Sequence, residues 1–350
     1  MSQQQFQNKT AEVNWLRVEQ YLKQEIPVLS EEPIKIKPFS AGYSNLTYLI
    51  SIGDWQAVLR RPPFGAIPPK AHDMKREFEI IEKLNNVFPL APKPYLYCED
   101  TGIMERHFYV MEKKEGVVLD DSLPREFIAR EDTGLLVSNA VVDTLVNLHD
   151  VDYKAAGLQD IGYPDGYLSR QVHGWIKRFH HSKTDDISSV ETLEKWLIDH
   201  IPPSPAPTIV HNDFKLNNMM FSAKDPGEVV GVFDWELSTL GDPLTDLASS
   251  IAYWTAPDEE ESGLTSVTTN PGFFSRKEML ELYAKKSGRD ISNIDYYLTF
   301  AFYKIAVILQ QLYYRWKIGE APDERFGKLN IGIQNLLNQA AKAQRKQLLR

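Results

Sequence analysis

The chain has a single cysteine, Cys98, in 350 residues, so no disulfide can form within it and a reducing compartment is expected. Positive charge is also scarce: 39 Lys and Arg stand against 48 Asp and Glu, a formal net charge of -9. No basic run exceeds a few residues, so the electrostatic footprint of a nucleic-acid binder is missing. Long apolar runs are missing too. The most apolar helical stretch, 296–314, carries Lys304 and breaks off at Arg315, which excludes a bilayer span there. Residues 1–8 are glutamine-rich with no apolar run behind them, so no signal peptide is expected. These absences lead to the expectation of a soluble, cytoplasmic protein with neither nucleic acid nor membrane as partner. No internal repeat is visible. What is present is 43% hydrophobic residues, enough to bury a substantial core in two domains or two lobes.

An amphipathic opening segment, with Val13, Leu16, Val18, Tyr21 and Leu22 against charged neighbours, reads as a helix. Period-two alternation then takes over at 34–39, 46–52 and 55–61. A Pro- and Gly-rich stretch, 62–69, separates these strands from a helix over 71–85, where Met74, Phe78, Ile81 and Leu84 recur at helical spacing. Strands follow at 95–99 and 108–112. From about residue 124 the pattern is helical, at 135–148, 190–201, 279–286, 296–316 and 331–348. One feature interrupts it: 219–221 and 229–233 are short apolar strands joined by 223–228, with Asp225-Pro226-Gly227 as turn chemistry. The expected class is α+β. A small antiparallel, β-rich, nucleotide-binding lobe with an opening helix spans 1–112, and a mainly helical catalytic and acceptor-binding lobe spans 113–350.

The strongest chemical signal is His211-Asn212-Asp213-Phe214-Lys215-Leu216-Asn217-Asn218, followed by Val232-Phe233-Asp234-Trp235-Glu236. Asn218 enters the first strand of the hairpin and Asp234 leaves the second. Their midpoint, position 226, falls in the expected turn, so antiparallel pairing sets them side by side. Asp213 lies in the loop just before. Two oxygen ligands beside a carboxylate able to accept a proton are what magnesium-dependent phosphoryl transfer requires. Lys215 can neutralise charge on the transferring group. Taken singly, Asp213 and Asn218 read as Asx-turn residues and Asp234 as a strand-end cap. The combination H-x-D-x-x-x-x-N plus an apolar strand ending in Asp is specific. His211 is expected to support the loop by hydrogen bonding.

The amino-terminal region supplies a complementary half. Ser40-Ala41-Gly42-Tyr43-Ser44-Asn45 joins two strands, and backbone N–H groups near Gly42, Ser44 and Asn45 can cradle phosphates, although a lone glycine between strands serves a plain hairpin equally well. Alternation puts Val58 and Arg60 on one face, Val58 to pack on adenine and Arg60 to reach phosphates. Glu77 is the natural partner for Arg60; the bland alternative is a solvated surface pair worth little. The segment 109–114 ends a strand near Gly116, where Met111, the Glu112 carbonyl and the Lys114 amide can face an adenine edge.

These residues resemble the aminoglycoside-phosphotransferase and choline-kinase superfamily, which has the protein-kinase-like two-lobe fold; the resemblance runs from about Ile34 to Gly319. More narrowly, 44–48, 59–63, 71–77, 166–172 and 241–248 look like the kinase domain attached to certain acyl-CoA dehydrogenases, the family-member-10 and -11 type. The resemblance implies Asp213 as catalytic base, Asn218 and Asp234 as Mg2+ ligands, Asp246 as a brace of the catalytic loop, and ATP or GTP as co-substrate. The narrower likeness implies a hydroxylated acyl acceptor carried as a coenzyme A thioester, and a functional link to an acyl-CoA dehydrogenase. Two departures stand out. Arg60 occupies the strand position that is usually Lys, and guanidinium and ammonium are not interchangeable. Lys215 is kept where many antibiotic kinases of this fold lack a lysine.

Between Asp234 and the apolar segment 247–254 there is no room for a long peptide-binding activation loop, which points to a small-molecule acceptor. A cationic acceptor, aminoglycoside- or choline-like, wants an acidic or aromatic pocket; the run 258–261 is acidic but reads as a solvated loop. Arg170, Lys177, Arg178, Lys304, Arg315 and Lys317 suit an anionic acceptor. Trp175, Trp254, Tyr303, Tyr313, Tyr314 and Trp316 line an apolar pocket or are plain core. His180-His181 lacks a Cys or acidic partner at metal-ligand spacing, so no zinc site is expected. Two other readings stay open: a nucleotide-binding regulator of the same fold without transfer activity, and a metal-dependent hydrolase built on His211, Asp213 and Asp234.

Overall fold

The computed structural model describes residues 13–39, 45–63, 73–185, 187, 190–264, 266–321 and 323–349. Gly42 and Ser44 therefore lie outside the described residues. The chain forms two compact units, one of residues 1–115 with 231–236, the other of residues 116–230 with 237–350.

In the first unit, helix α1 (Trp15–Glu25) is capped by Asn14, whose side chain accepts from the Arg17 N–H, and it buries Val18 and Leu22. Leu16, expected on the apolar face, is 64% exposed. Successive helical positions advance by roughly 100°, which puts Leu16 across the helix from Val18. Five antiparallel strands form the sheet in the order β1–β2–β3–β5–β4: β1 (Lys35–Pro38), β2 (Leu46–Ile52), β3 (Trp55–Arg61), β4 (Pro94–Cys98) and β5 (Phe108–Glu112). β2 and β3 join through a two-residue turn in which Gly53 takes φ +58, the left-handed conformation such hairpins need. One face of the sheet, with Tyr48, Ile50, Ala57, Leu59 and Val110, packs with Val18 and Leu22 of α1 into a core. The register sets Val58 opposite Met111 and Arg60 opposite Tyr109. Helix α2 (Met74–Asn85), capped by Asp73, buries Met74, Ile80, Ile81 and Leu84, and with them one charged side chain, Glu77.

In the second unit, β6 (Val117–Val118), β8 (Met219–Ser222) and β9 (Asp225–Val232) form a three-stranded sheet with β8 in the middle. The hairpin turn is Ala223-Lys224, and not the expected 223–228. Asp225, Pro226 and Gly227 belong to β9, where the Asp225 carboxylate accepts from the Gly227 N–H. β9 lies at the sheet edge, where Pro226 need not remove a ladder bond. The count that set Asn218 opposite Asp234 assumed a turn centred on 226, and it falls with that turn.

The longer helices of this unit are α3 (Thr133–His149), α4 (Tyr167–Ser182), α5 (Val190–Asp199), α6 (Pro243–Ala252), α7 (Arg276–Ser287), α8 (Ile294–Lys317) and α9 (Leu329–Gln344). α8 is the spine, packed against α4, α6 and α9. Among the described residues no helix is long and apolar enough to cross a membrane. Strand β7 (Thr208–Val210) pairs antiparallel with β10 (Thr239–Gly241), Val210 opposite Thr239. A β-carbon on Gly241 would lie 2.8 Å from the Tyr167 ring, so glycine there lets α4 close against β10. That approach places Tyr167 on the loop that follows β7.

Candidate active site

In the second unit, β7 ends at Val210 and the next two peptide groups are seized by a buried carboxylate. Asp246, in the first turn of α6, accepts from the N–H of His211 at 2.6 Å and of Asn212 at 2.7 Å. His149 Nε2 lies 3.4 Å from the same carboxylate, and its Nδ1 meets the Tyr283 hydroxyl at 2.8 Å. Burial works to raise the Asp246 pKa, but His149, the charge environment of His211 and the His211 N–H hold it below the usual carboxylate value. Asn212 takes φ +67, a left-handed conformation that Asn tolerates better than most residues. All its polar side-chain atoms are anchored: Tyr167 donates to Oδ1 at 2.7 Å, and Nδ2 donates to the Leu237 carbonyl at 3.0 Å. Lys304 of α8 donates to the Asn212 carbonyl at 3.1 Å.

Asp213 follows on this fixed base. Its N–H donates to His211 Nδ1 at 3.3 Å. Asn218 Nδ2 donates to the Asp213 carbonyl at 2.9 Å and to Oδ2 at 2.8 Å, and Lys215 Nζ lies 3.0 Å from Oδ2. Both side-chain donors meet one oxygen, so Oδ1 is the one available to take a proton. Lys215 Nζ also sits 5.0 Å from the centre of the Tyr253 ring. Donation by Asn218 Nδ2 turns its amide oxygen away from Asp213. The structure thus brings Asp213, Lys215 and Asn218 together, on the Asp246 brace. Lys304 is the functional residue missed as part of this loop. Burial pulls its pKa down, while Asp213 and Asp246 oppose that. The sequence showed it as a lysine within the apolar stretch 296–314, but its place on this loop is tertiary.

The first unit holds a second cluster. Arg60 Nη2 donates to Asp234 Oδ1 at 2.6 Å, Nε lies 3.3 Å from Glu77 Oε2, and Nη2 lies 3.7 Å from Glu236 Oε2. Asn45 Nδ2 donates to Glu236 Oε2 at 2.9 Å, and Arg76 donates to the Glu236 carbonyl at 3.0 Å. Asp234 takes φ +68. Trp235 beside it is buried against Phe88, with Nε1 donating to the Val232 carbonyl. Carboxylates outnumber the guanidinium they surround, three to one. Burial pushes the Glu77 carboxyl up to about 7; Arg60 pulls it back down, and the Asp234 and Glu236 charges push it up. The solvated-pair alternative for Arg60 and Glu77 does not hold, since both are buried. Met111 is buried opposite Val58, and Glu112 pairs with Ala57 at the end of β5. The Lys114 side chain is taken up by the Glu112 carboxylate at 3.0 Å and the Pro89 carbonyl at 3.2 Å.

The Glu77 environment gives a signed prediction. Its folded pKa lies above the ordinary 4.5, so the folded state holds this proton more tightly than the unfolded chain does. The associated stability is present below about pH 4.5 and is lost as pH rises to about 7, a cost on the order of 3 kcal/mol. Thermal melts of metal-free protein between pH 5 and 7.5 are expected to show that decline, flattened in Glu77→Gln. Parallel profiles for the two proteins would contradict it.

Elsewhere the acidic run 258–261 is not simply solvated: Glu259 accepts from the buried Arg276, with Nη2 to Oε2 at 2.7 Å. His180, which spacing left without an acidic partner, meets Glu194 of α5 at 2.8 Å, and Tyr303 donates to the other Glu194 oxygen. Trp254, Tyr303 and Tyr313 are core. Lys317 pairs with Asp185 at 2.8 Å, and Arg170 is spent on the carbonyls of Tyr163 and Asp165. Among the described residues no group of three or more His, Cys, Asp or Glu side chains is gathered as a metal cage.

With this geometry in hand, the chain is found to match the phosphotransferase enzyme family over residues 35–268. Mouse acyl-CoA dehydrogenase family member 10 is 34% identical over 336 residues, covering 94% of this chain and 31% of the relative, so the chain spans under a third of that protein's length. A proposed aminoglycoside phosphotransferase from Ralstonia eutropha superposes with a TM-score of 0.79 at 29% identity, covering 93% of this chain and 98% of that one. A thermostable mutant aminoglycoside phosphotransferase, solved with ADP and hygromycin B, gives a TM-score of 0.60 at 15% identity over 93% and 98% of the two chains; at that identity the likeness is one of fold.

Proposed function

The chain belongs to the phosphotransferase enzyme family, and on that premise we propose that it is a small-molecule kinase moving the γ-phosphoryl group of ATP or GTP onto a hydroxyl of an acyl or otherwise anionic acceptor. The observation that carries the reading is the catalytic loop, where Asp213 is fixed through Oδ2 by Lys215 and Asn218 and through its backbone by the Asp246 network. In the proposed step the acceptor hydroxyl gives its proton to Asp213 Oδ1 as its oxygen bonds to the γ-phosphorus. The bond from that phosphorus to the β–γ bridging oxygen breaks, and the nucleoside diphosphate leaves. Lys215 offsets charge on the transferring group. Val58, Arg60 and Met111 are assigned to the nucleotide, with Glu77 positioning Arg60; Asn45, Glu112 and Lys114 are assigned with them, and so are Gly42 and Ser44.

The proposal gives magnesium two hard oxygen donors, the Asp234 carboxylate and the Asn218 amide oxygen. The residues fit such an ion by donor type and by charge, because carboxylates outnumber the guanidinium at the centre of the Arg60 cluster and magnesium relies on few protein ligands plus water and phosphate. When bound, the ion neutralises phosphate charge. The hydroxyacyl acceptor is supported by the 34% identity to an acyl-CoA dehydrogenase family member, and a dehydrogenase as functional partner is part of the same proposal. The grip of Arg60 on Asp234 favours one second reading, a nucleotide binder without transfer.

Melting temperature with magnesium plus ATP, or GTP, against each component alone tests the nucleotide half. Binding to the native state adds stability by mass action, about 2.7 kcal/mol at a hundredfold excess over Kd. The expected shift needs both components and weakens in Asp234→Ala. No shift at millimolar nucleotide would overturn the proposal.

A further inference from the structure

We infer that a basic cavity between α4 and α8 binds a phosphate-bearing arm of the acceptor. The cavity, about 470 Å³, is lined by Gly174, Lys177, Arg178 and His181 from α4 and by Tyr314 and Arg315 from α8, and no carboxylate lines it. That is unusual in a chain of net charge -9. Several other cations of this unit are paired: Lys317 with Asp185 at 2.8 Å, Arg289 with Asp150 at 2.9 Å, Lys286 with Asp143. Among the described residues, Lys177, Arg178 and His181 have no carboxylate within ion-pair reach, and Arg315 has Glu320 at 3.8 Å with both side chains more than half exposed. Positive groups from two helices therefore face one hollow, and their mutual repulsion is relieved by an anion placed among them.

A chain of contacts leads from the cavity to the catalytic loop. The Arg178 guanidinium lies 4.6 Å from the centre of the Trp175 ring, and Lys304 Nζ lies 5.7 Å from the same ring. Lys304 in turn holds the carbonyl of Asn212, one residue before Asp213. A molecule whose hydroxyl reaches Asp213 thus has this hollow within its span. A single carboxylate would leave most of these donors unused. A phosphate ester or diphosphate, with several acceptor oxygens and more than one charge, matches the arginine forks better.

The inference rests on the kinase reading for its acceptor, so two measurements keep them apart. The first compares a hydroxyacyl coenzyme A thioester with the corresponding free hydroxy acid as acceptor. In the variant Lys177→Gln/Arg178→Gln, KM for the thioester is expected to rise at least tenfold, with kcat within twofold and KM for the free acid unchanged. The second needs no turnover: calorimetry of adenosine 3′,5′-bisphosphate with the protein already saturated by magnesium and a non-hydrolysable ATP analogue. Binding is expected in the wild type and lost in the variant. Binding without transfer to any acceptor would leave the cavity assignment standing and sink the kinase reading. Transfer with equal KM for both acceptors, and no bisphosphate binding, would do the reverse. Binding of inorganic pyrophosphate that vanishes in the variant, with no change in thioester KM, would show a free-anion site and overturn the acceptor-arm assignment.

Discussion

Asp213→Ala is expected to lower turnover by about 10³-fold or more while leaving the stabilisation by magnesium and nucleotide in place. Positioned general bases contribute roughly 10²–10⁴ in rate, and no other carboxylate is held on this loop to substitute. Asp213 also anchors two neighbours, since Asn218 donates to its Oδ2 and Lys215 lies against the same oxygen. Alanine therefore loses the proton acceptor and loosens both groups at once. Asp213→Asn separates those effects: it keeps the side chain's shape and one oxygen for hydrogen bonding, yet it cannot carry the proton away. Both variants should be equally inactive if proton transfer is the main role. A steady-state assay on a hydroxylated acceptor reads this out, and a loss under tenfold in Asp213→Ala would show that the base has been misassigned.

The second large effect is on stability. Asp246→Ala should destabilise the protein by about 3–5 kcal/mol, the range for removing one partner of a buried charged network. The buried carboxylate takes the N–H groups of His211 and Asn212, and the buried His149 stands beside it. Without it two backbone donors are left unmet, each costing about 1–3 kcal/mol. Asp246→Asn rescues little, because its amide would turn a donor toward donors. The sign of the pH dependence follows from the depressed pKa: the contribution is intact above the ordinary carboxylate range and is lost only as pH falls through the folded value. Urea unfolding at neutral pH checks the magnitude, and a change under 1 kcal/mol would remove Asp246 as the brace of the loop.

Much of this was legible in the chain. The strands of the first unit were legible to within a residue; β2 buries alternate positions as period two requires, whereas β3 and β5 are buried along most of their length. Alternation also put Val58 and Arg60 on one face, as the register shows. Two helices were not expected from the sequence. In α6 every residue is buried, so no exposed face marks the turns. α4 does carry the signal, with Leu168, Val172 and Phe179 buried at helical spacing. The hairpin register failed because Asp-Pro-Gly usually marks a turn, whereas here an edge strand tolerates it. Among the site residues, Asp213, Lys215 and Asn218 stood out by spacing. The contributions of Tyr167, His149 and Lys304 depend on helices far away in sequence meeting the loop, which no local pattern encodes. The rim of Lys177, Arg178 and Arg315 was visible as charge, but the cavity it surrounds is tertiary.

Transfer of label from γ-labelled ATP in the presence of magnesium, offered to a panel of hydroxy acids and hydroxyacyl thioesters, tests the central claim most directly. The account predicts label on an acceptor hydroxyl in step with nucleoside diphosphate, absent without magnesium and abolished in Asp213→Ala. Nucleotide that binds and stabilises the protein, while its label stays in place or appears only as inorganic phosphate across the whole panel, would contradict it.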